Sequence, residues 1–263
     1  MPSAEDKNLM TFGGHLEALR QMLLRILAVT LCLGVLIFCF KEATFRLLLA
    51  PCDNHFVTYR AIERLCALAG IGLHFEAYSI DLINTELSSQ FMTHLSTSVY
   101  LALLLASPYV VIELYRFIAP ALYERERRHS VGVSVAIYLL FLLGVLMSYY
   151  VLFPFALRFL GTYQVAPEVR NQINLSSYIS TFTTLTFLMG LVFQIPVLSF
   201  LLSRMGLIEA AFMKRYRAHA LVVIMLLAAL ITPPDLFTLV LMSLPMYALY
   251  ELSIAIVGRN SDG

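Results

Sequence analysis

The stretch FIAPALYERERR occupies residues 117–128 and ends in five consecutive charged residues. Only 13% of the 263 residues are charged, and long apolar runs lie on both sides of this stretch. A short charged stretch between two apolar runs predicts a loop that joins two membrane-spanning helices. Basic residues are expected in such a loop, whereas its acidic residues need a separate explanation.

The composition of the whole chain is that of a membrane protein. Hydrophobic residues make up 60% of it and the mean hydropathy is +0.80, whereas ordinary soluble domains are about 45–50% apolar. The net charge of +1 argues against nucleic-acid binding, which favours a strongly basic surface. The sequence therefore predicts an all-α polytopic membrane protein.

Six apolar segments are candidates for membrane-spanning helices. Five have about the 20 residues that a helix needs to cross the hydrocarbon core, whereas the one before the TPPD turn has about 14, or roughly 21 Å. Length leaves open whether that segment is re-entrant or a short span, and its basic flank favours a span. We expect one six-helix domain over residues 1–263 with the last two spans short. The predicted spans are residues 22–40, 91–112, 131–153, 178–202, 218–231 and 236–257.

The distribution of Lys and Arg predicts how the spans are oriented. Twelve of the 18 basic residues fall in the N-terminal segment, the C-terminal tail and the connections between spans two and three and between spans four and five. Because cytoplasmic loops are enriched in Lys and Arg, we expect both termini in the cytoplasm. Residues 41–90 then face outward, and their weak helical pattern predicts short helices that form a periplasmic cap.

Four cysteines fall into two pairs. Cys32 and Cys39 lie in the first span, where cysteine behaves as a small apolar residue. Cys52 and Cys66 lie in the outward segment, where a disulfide would close a loop of about 15 residues and stabilise it by roughly 3 kcal/mol in the entropic model. The sequence leaves this bridge open, because it does not show whether the two Cα atoms come close enough.

The sequence lacks the residue patterns of intramembrane catalysis. It has no G-x-S-x-G or H-E-x-x-H motif, and its predicted spans lack the buried carboxylates of many ion pumps. We therefore expect a protein that is not an enzyme and holds no metal or cofactor. A secondary transporter for a small solute is the alternative, although the repeated halves typical of such transporters are missing from the sequence.

Two polar features fall inside the apolar segments. Gln194 lies near the middle of the fourth predicted span, where an amide must find a hydrogen-bond partner. It either bonds to a neighbouring helix or lines a polar recess on a concave face. Pro196 should interrupt that helix, and Asp235 in the TPPD turn is a suitable N-cap for the next one.

The acidic residues of the charged stretch have two interpretations. Glu124 and Glu126 either pair with neighbouring arginines, at about 0–1 kcal/mol per exposed pair, or offer a carboxylate to an incoming cation. Arginine presents a planar fork that matches carboxylate oxygens. The second interpretation therefore predicts a site for an arginine-bearing ligand.

Five motifs together resemble the twin-arginine translocase C subunit family (TatC, Sec-independent protein translocase). FIAPALYERERR resembles that family's first cytoplasmic loop, F-x-x-P-A-L-x-x-x-E-R-R. The other four are HLEALR before the first span, LLAP at residues 48–51, FQIP at residues 193–196 and TPPD at residues 232–235. The resemblance covers residues 14–258, which is nearly the whole chain.

The resemblance implies a receptor, in the bacterial inner membrane, for folded proteins whose signal peptides carry an Arg-Arg pair. Its partners would be small single-span subunits of the TatA and TatB type, in a homo-oligomeric receptor complex powered by the proton-motive force. By position, Glu126 resembles the family's main carboxylate for the twin arginine. The resemblance also assigns signal-peptide binding to Phe117, Pro120, Arg127, Arg128, Arg20 and Glu17, and partner or transport roles to Gln194, Pro51, Thr232 and Asp235.

Two departures from the family pattern concern these site residues. The N-terminal motif is usually H-L-x-E-L-R, but Ala18 occupies the Glu position here and Glu17 precedes it. One residue along a helix is a rotation of about 100°, so we expect Glu17 to face another direction and Glu126 to carry more of the binding. The family often has Glu where this chain has Gln194, and an amide does not titrate.

Overall fold

The computed structural model describes residues 12–70, 80–118, 130–166, 168, 171–232 and 235–261, which are almost entirely helical. The described helices are α1 (Phe12–Cys39), α2 (Lys41–Leu49), α3 (Val57–Leu68), α4 (Ser89–Ile118), α5 (Ser130–Met147), α6 (Phe153–Thr162), α7 (Leu175–Val192), α8 (Ile195–Arg204), α9 (Ala210–Arg215), α10 (Arg217–Ile231) and α11 (Leu236–Ser261). A 3-10 turn (Ala50–Cys52) follows α2, and a π-helical turn (Ser148–Leu152) joins α5 to α6. Two short parallel strands, β1 (Leu82–Ile83) and β2 (Ile173–Asn174), pair with each other.

The apolar segments follow the predicted pattern with one difference. Five are long and apolar enough to cross a membrane, and they are Leu16–Cys39, Ser89–Glu113, Ser134–Thr162, Leu175–Arg204 and Leu236–Arg259. α10 is apolar but has only 15 residues, as expected for the segment before the TPPD turn. The expectation that both final segments are short is wrong for α11, because that helix continues through Pro245 for 26 residues.

The fourth apolar segment is interrupted where Pro196 predicted a break. α7 ends at Val192 and α8 begins at Ile195, with Gln194 in the turn between them. Pro196 is within the first turn of α8, where the missing N–H of proline is tolerated. The amide of Leu198 donates to the carbonyl of Gln194 at 2.9 Å, so the chain returns to helix at once.

Pro154 causes an irregularity in the third apolar segment that was not predicted from the sequence. The helix widens to π geometry before it, and the amide of Phe153 donates to the carbonyl of Ser148 five residues earlier. Pro154 has no N–H to donate to the carbonyl of Tyr150. The hydroxyl of Thr58 in α3 donates to that carbonyl instead, so α3 is tied to the irregular turn.

The described residues group into two compact units. The first takes its residues from Met1–Lys41 and Leu95–Leu139, and the second from Glu42–His94 and Leu140–Gly263. In the first unit, a Cβ built on Gly34 of α1 would lie 3.7 Å from that of Ala102 on α4, and Ala102 is fully buried. The two helices therefore pack closely through small residues. The single domain over residues 1–263 stays a prediction.

The second unit contains a group of contacting aromatic rings, which we call the aromatic cluster. Phe153 meets Tyr178 and Phe182 edge to face, at centroid separations of 5.1 and 4.9 Å. Such pairs add about 0.5–1.5 kcal/mol each beyond the area that they bury. The aromatic cluster consists of Phe56, Tyr59, Tyr149, Tyr150, Phe153, Tyr178 and Phe182.

Hydroxyl groups of the aromatic cluster attach α2 to α7 and α3 to α6. Tyr178 donates to the carbonyl of Leu48 at 2.6 Å, and Tyr59 donates to that of Pro154 at 2.8 Å. Tyr59 and Leu48 are each only 1% exposed. The short helices predicted within residues 41–90 are therefore present and firmly packed, while their outward location stays a prediction.

All four cysteines are free thiols, so the Cys52–Cys66 bridge that the spacing allowed is not formed in the structure. Cys52 ends the 3-10 turn, whereas Cys66 lies nine residues beyond Val57, the first residue of α3. Nine helical residues rise about 13 Å, so Cys66 lies that far along α3 from the first residue of the helix. The spacing in sequence did not reveal that a helix separates the two thiols.

Candidate functional site

The charged stretch joins the end of α4 to the start of α5. α4 ends at Ile118 with the half-buried side chain of Phe117 in its last turn, and α5 begins at Ser130. The run is thus a connection between the second and third apolar segments, as predicted. Four of the predicted site residues lie outside the described residues, and they are Pro120, Glu126, Arg127 and Arg128.

The polar residues of the N-terminal motif bond to one another on α1. Oε2 of Glu17 lies 3.2 Å from Nη1 of Arg20, and Nε2 of Gln21 donates to Oε1 of Glu17 at 3.1 Å. The side chain of Arg20 is 69% exposed, whereas Ala18 is half-buried and Met22, one turn further on, is buried. Glu17 therefore lies on the open side of α1, while position 18 lies toward the packed side.

Glu113 on α4 is a buried carboxylate that sequence reasoning missed. Its side chain is 3% exposed, and its Oε2 lies 3.4 Å from Nη1 of Arg25 on α1. The expectation that the spans contain no buried carboxylate is wrong here, because α4 continues past the predicted end of the span at residue 112. The signal was the basic Arg25 in an apolar segment, since an intramembrane charge needs a partner of opposite sign.

Gln194 lies half-buried at the break between α7 and α8 in the second unit. Its Nε2 donates to the carbonyl of Gly190 in α7 at 3.4 Å, which is long for a hydrogen bond. A Cβ built on Gly190 would lie 2.6 Å from the ring of Phe141, and one on Gly144 of α5 would lie 2.6 Å from the carbonyl oxygen of Met189. α5 and α7 therefore touch through their backbones just before the break.

The other predicted transport residues end or begin helices in the second unit. Pro51 is buried in the 3-10 turn. Thr232 is buried at the end of α10, where its hydroxyl donates to the carbonyl of Ala228 at 2.9 Å. Oδ1 of Asp235 accepts from the amide of Thr238 at 2.7 Å and its Oδ2 from the hydroxyl of Thr238. The predicted N-cap is confirmed, while the transport roles of all three stay predictions.

A cavity of about 220 Å³ lies in the second unit between α6, β2 and the start of α7. Apolar side chains such as Phe153 and Leu157 line one part of it, and polar ones such as Asn171 and Ser177 line another. None of the predicted site residues that the structure describes lines this cavity. Within the described part of the chain, no group of three or more His, Cys, Asp or Glu residues is placed to hold a metal ion.

Comparison with known proteins gives one consistent family. The family model of Sec-independent protein translocase protein (TatC) matches residues 14–245. TatC of Blattabacterium sp. subsp. Periplaneta americana is 32% identical over 255 residues, which cover 95% of this chain and 96% of the relative. TatC of Desulforapulum autotrophicum is 31% identical over 270 residues, which cover 100% of this chain and 90% of the relative.

Solved structures give the same family. A crystal structure of the twin-arginine translocase receptor TatC matches with a TM-score of 0.71 at 27% identity, over 92% of this chain and 97% of that chain. A second crystal structure of that receptor, in DDM, matches with a TM-score of 0.73 at 27% identity, over 92% and 99%.

Proposed function

Because the chain belongs to the TatC family of Sec-independent protein translocase proteins, we propose that it is the signal-peptide receptor of a twin-arginine translocase. Its ligand is the signal peptide of a folded protein, recognised by an Arg-Arg pair. It assembles with single-span subunits of the TatA and TatB type, as a homo-oligomer within the receptor complex. The proton-motive force drives the export of the folded cargo.

The family match that includes the charged run is the observation that carries this proposal. α4 leads into the run with Phe117 in its last turn, and Glu126 follows nine residues later. A carboxylate accepts two parallel hydrogen bonds from a guanidinium, a geometry that an ammonium does not offer. Glu126 therefore favours Arg-Arg over Lys-Lys, and Arg127 and Arg128 orient it and meet anionic headgroups.

We place the chain in the membrane with both termini and the charged run on the cytoplasmic side. α10 is then the short fifth of six spans, and α2 and α3 belong to the outward cap. The 15 residues of α10 rise about 22 Å, less than the roughly 30 Å of the hydrocarbon core. The bilayer thins or water enters beside this helix, as expected for a hydrophobic mismatch.

Gln194 is the proposed contact for a partner subunit. Its amide lies at a helix break, and Pro196 has no N–H to donate to the carbonyl of Val192. Polar groups within the membrane hydrogen-bond across helices, so a polar residue at a helix break suits contact with an incoming single-span helix. Pro51, Thr232 and Asp235 support transport indirectly, by holding the ends of the helices that they terminate or begin.

Photo-crosslinking in membranes that contain the whole receptor complex tests the proposed function. The probe is a signal peptide with a photoreactive residue beside either an Arg-Arg or a Lys-Lys pair. We expect the Arg-Arg peptide to crosslink about tenfold more strongly to the unmodified chain, as about 1.4 kcal/mol of preference requires. Glu126→Gln should abolish the preference, whereas the matched variant Glu124→Gln should keep it. Equal crosslinking of the two peptides to the unmodified chain would overturn the receptor proposal.

A further inference from the structure

We propose that α3 is an interfacial helix whose outer face binds anionic phospholipid. Arg60 and Arg64 contact the phosphate groups of the lipid headgroups, while Leu65 and Leu68 enter the acyl boundary below them. This binding goes beyond the proposed receptor function, because it concerns the lipid around the protein and not its peptide ligand. α3, the π-helical turn and α6 all belong to the second unit.

α3 is anchored to the third apolar segment near one end of that segment. The hydroxyl of Thr58 donates to the carbonyl of Tyr150, and that of Tyr59 donates to the carbonyl of Pro154 at 2.8 Å. Pro154 precedes Thr162, where the candidate span ends, by about 12 Å along the helix. The 29 residues of the span rise about 43 Å, against roughly 30 Å for the hydrocarbon core. The span therefore extends beyond the core, and α3 begins close to the boundary between acyl chains and headgroups.

The outer face of α3 combines arginines with apolar residues. At about 100° per residue, Arg60 and Arg64 lie together along one edge of this face, and Leu65 and Leu68 lie along the other. Both arginines are exposed, and the two leucines are 66% and 86% exposed. Tyr59 is on the opposite side of the helix and is only 1% exposed. A basic edge beside an apolar edge is typical of helices that lie in the membrane interface.

The charges of the outer face suit an anionic headgroup layer. The guanidinium of arginine presents a planar fork that matches phosphate oxygens. The aliphatic stems of Arg60 and Arg64 can lie along apolar surface while their charged ends reach the headgroups. Glu63, the acidic residue of α3, is half-buried and lies on the far side of the arginines from the leucines. The edge that would meet lipid therefore carries positive charge only.

Water and a second copy of the chain are the rival coverings of this face. Water would leave Leu65 and Leu68 hydrated, and the favourable free energy of burying their apolar area would be lost. A second copy would have to place acidic groups opposite Arg60 and Arg64, because a buried charge without a partner is costly. A headgroup layer avoids both costs, since it receives leucines and guanidinium groups at different depths.

Tryptophan fluorescence tests the proposal, because the chain has no tryptophan of its own. Leu68→Trp places a probe on the outer face of α3, and Leu65→Trp is a second probe on the same face. The whole chain is reconstituted in vesicles of phosphatidylcholine and phosphatidylglycerol, with bromine on the acyl chains of one lipid at a time. We expect both lipids to quench the probe. Brominated phosphatidylglycerol should have the higher apparent affinity, by about fivefold per arginine.

Matched variants separate charge from depth. Arg60→Gln with Arg64→Gln should remove the preference for phosphatidylglycerol, whereas Arg60→Lys with Arg64→Lys should keep most of it. Salt at about 1 M, where the Debye length is about 3 Å, should weaken the preference. Leu31→Trp is the control probe, because Leu31 on α1 is 65% exposed and no Lys or Arg lies within five positions of it. The two brominated lipids should quench that control equally.

Three results would overturn the proposal. Quenching of Leu68→Trp by aqueous iodide, with little from either brominated lipid, would show that the face is hydrated. Shielding of the probe from iodide and from both lipids would show that protein covers the face, as in contact with a second copy. Equal quenching by the two lipids, unchanged when Arg60 and Arg64 are replaced by glutamine, would show that the face does not select anionic phospholipid. None of these results changes the expected preference for Arg-Arg peptides.

Discussion

The two units of this chain are stabilised in different ways. In the second unit, 44% of the most apolar window of Leu175–Arg204 is buried within the protein, against 11% for Leu16–Cys39 in the first. The second unit has the aromatic cluster and the hydroxyl-to-carbonyl bonds that fix α2 and α3. The first unit has close contacts between small residues and the ion pair of Arg25 and Glu113, and the second unit has an ion pair as well, between Arg217 and Glu251. The apolar segment Leu175–Arg204 of the second unit is therefore packed more fully within the protein than α1 of the first.

The leucines of α1 illustrate the difference. Leu23, Leu27 and Leu31 are each more than half exposed, although they belong to an apolar segment. Lipid tails are as apolar as leucine, so such side chains are tolerated in a membrane and gain little from packing inside the protein. Specific contacts in the first unit then include the ion pair of Arg25 and Glu113 beside the close packing of small residues.

The largest expected effect on stability is the difference between replacing a buried leucine of the second unit and replacing an exposed leucine of the first. Leu48→Ala should lower the free energy of unfolding by about 2–5 kcal/mol, because it leaves a cavity in a fully packed site. Leu27→Ala should change it by less than about 1 kcal/mol, because that side chain already faces outward. Thermal unfolding in the same detergent measures both. Equal losses would remove the distinction between the two units.

The next prediction compares alanine substitutions at two glycines of α5. Gly144→Ala should destabilise the chain by about 1–3 kcal/mol, as overpacking does, because its Cβ would meet the carbonyl oxygen of Met189 at 2.6 Å. Gly132→Ala is the control, since nothing lies within 4 Å of its Cβ. Gly132→Ala should be neutral or slightly stabilising because Ala favours a helix. Unfolding midpoints of the two variants that coincide would contradict the close approach of α5 and α7.

Some parts of the fold could be predicted from the sequence, and others could not. Hydropathy predicted the long apolar segments and the short α10, and turn chemistry predicted the Asp235 cap and the break at Pro196. Gly144 and Gly190 were not predicted, because a close approach depends on which helices are neighbours. Whether Cys52 and Cys66 form a bridge could not be predicted for the same reason, because spacing in sequence does not show where two side chains lie relative to each other.

The residues of the candidate site could be predicted from the sequence only in part, for a similar reason. The motif resemblance supplied Glu126 and its neighbours, whose roles stay predictions, and helical rotation predicted that Glu17 and position 18 face different directions. Glu113 was missed because a one-residue error in the end of a span moved it out of the membrane segment. A carboxylate next to a predicted boundary therefore needs a charge partner in the neighbouring span before it is assigned to a loop.

A smaller effect is expected at the start of α11. Asp235→Ala should cost about 1 kcal/mol, because the amide of Thr238 loses its side-chain acceptor. Asp235→Asn should cost much less, since asparagine is as good an N-cap as aspartate. The midpoint of thermal unfolding measures both, and a full loss with the asparagine variant would show that charge rather than capping holds this turn.

The smallest effect concerns the rate of a thiol reaction at the edge of the aromatic cluster. Burial raises the pKa of the Cys52 thiol, and its hydrogen bond with Tyr178 lowers that pKa by less. At neutral pH less of the reactive thiolate is present, so alkylation of Cys52 should be slower than in the denatured chain and should accelerate at higher pH. Mass mapping without reductant measures it. Failure of Cys52 and Cys66 to react until reduction would show a bridge that the structure does not have.

We propose that Glu126 recognises arginine in the signal peptide, and a double-mutant cycle measures this recognition. Dissociation constants are measured for the Arg-Arg and Lys-Lys peptides against the unmodified receptor complex and against Glu126→Gln. We expect a coupling free energy of at least about 1.5 kcal/mol between peptide arginine and receptor carboxylate, as for a hydrogen bond to a charged group. A coupling of zero, with the peptides separated equally by both receptors, would contradict it.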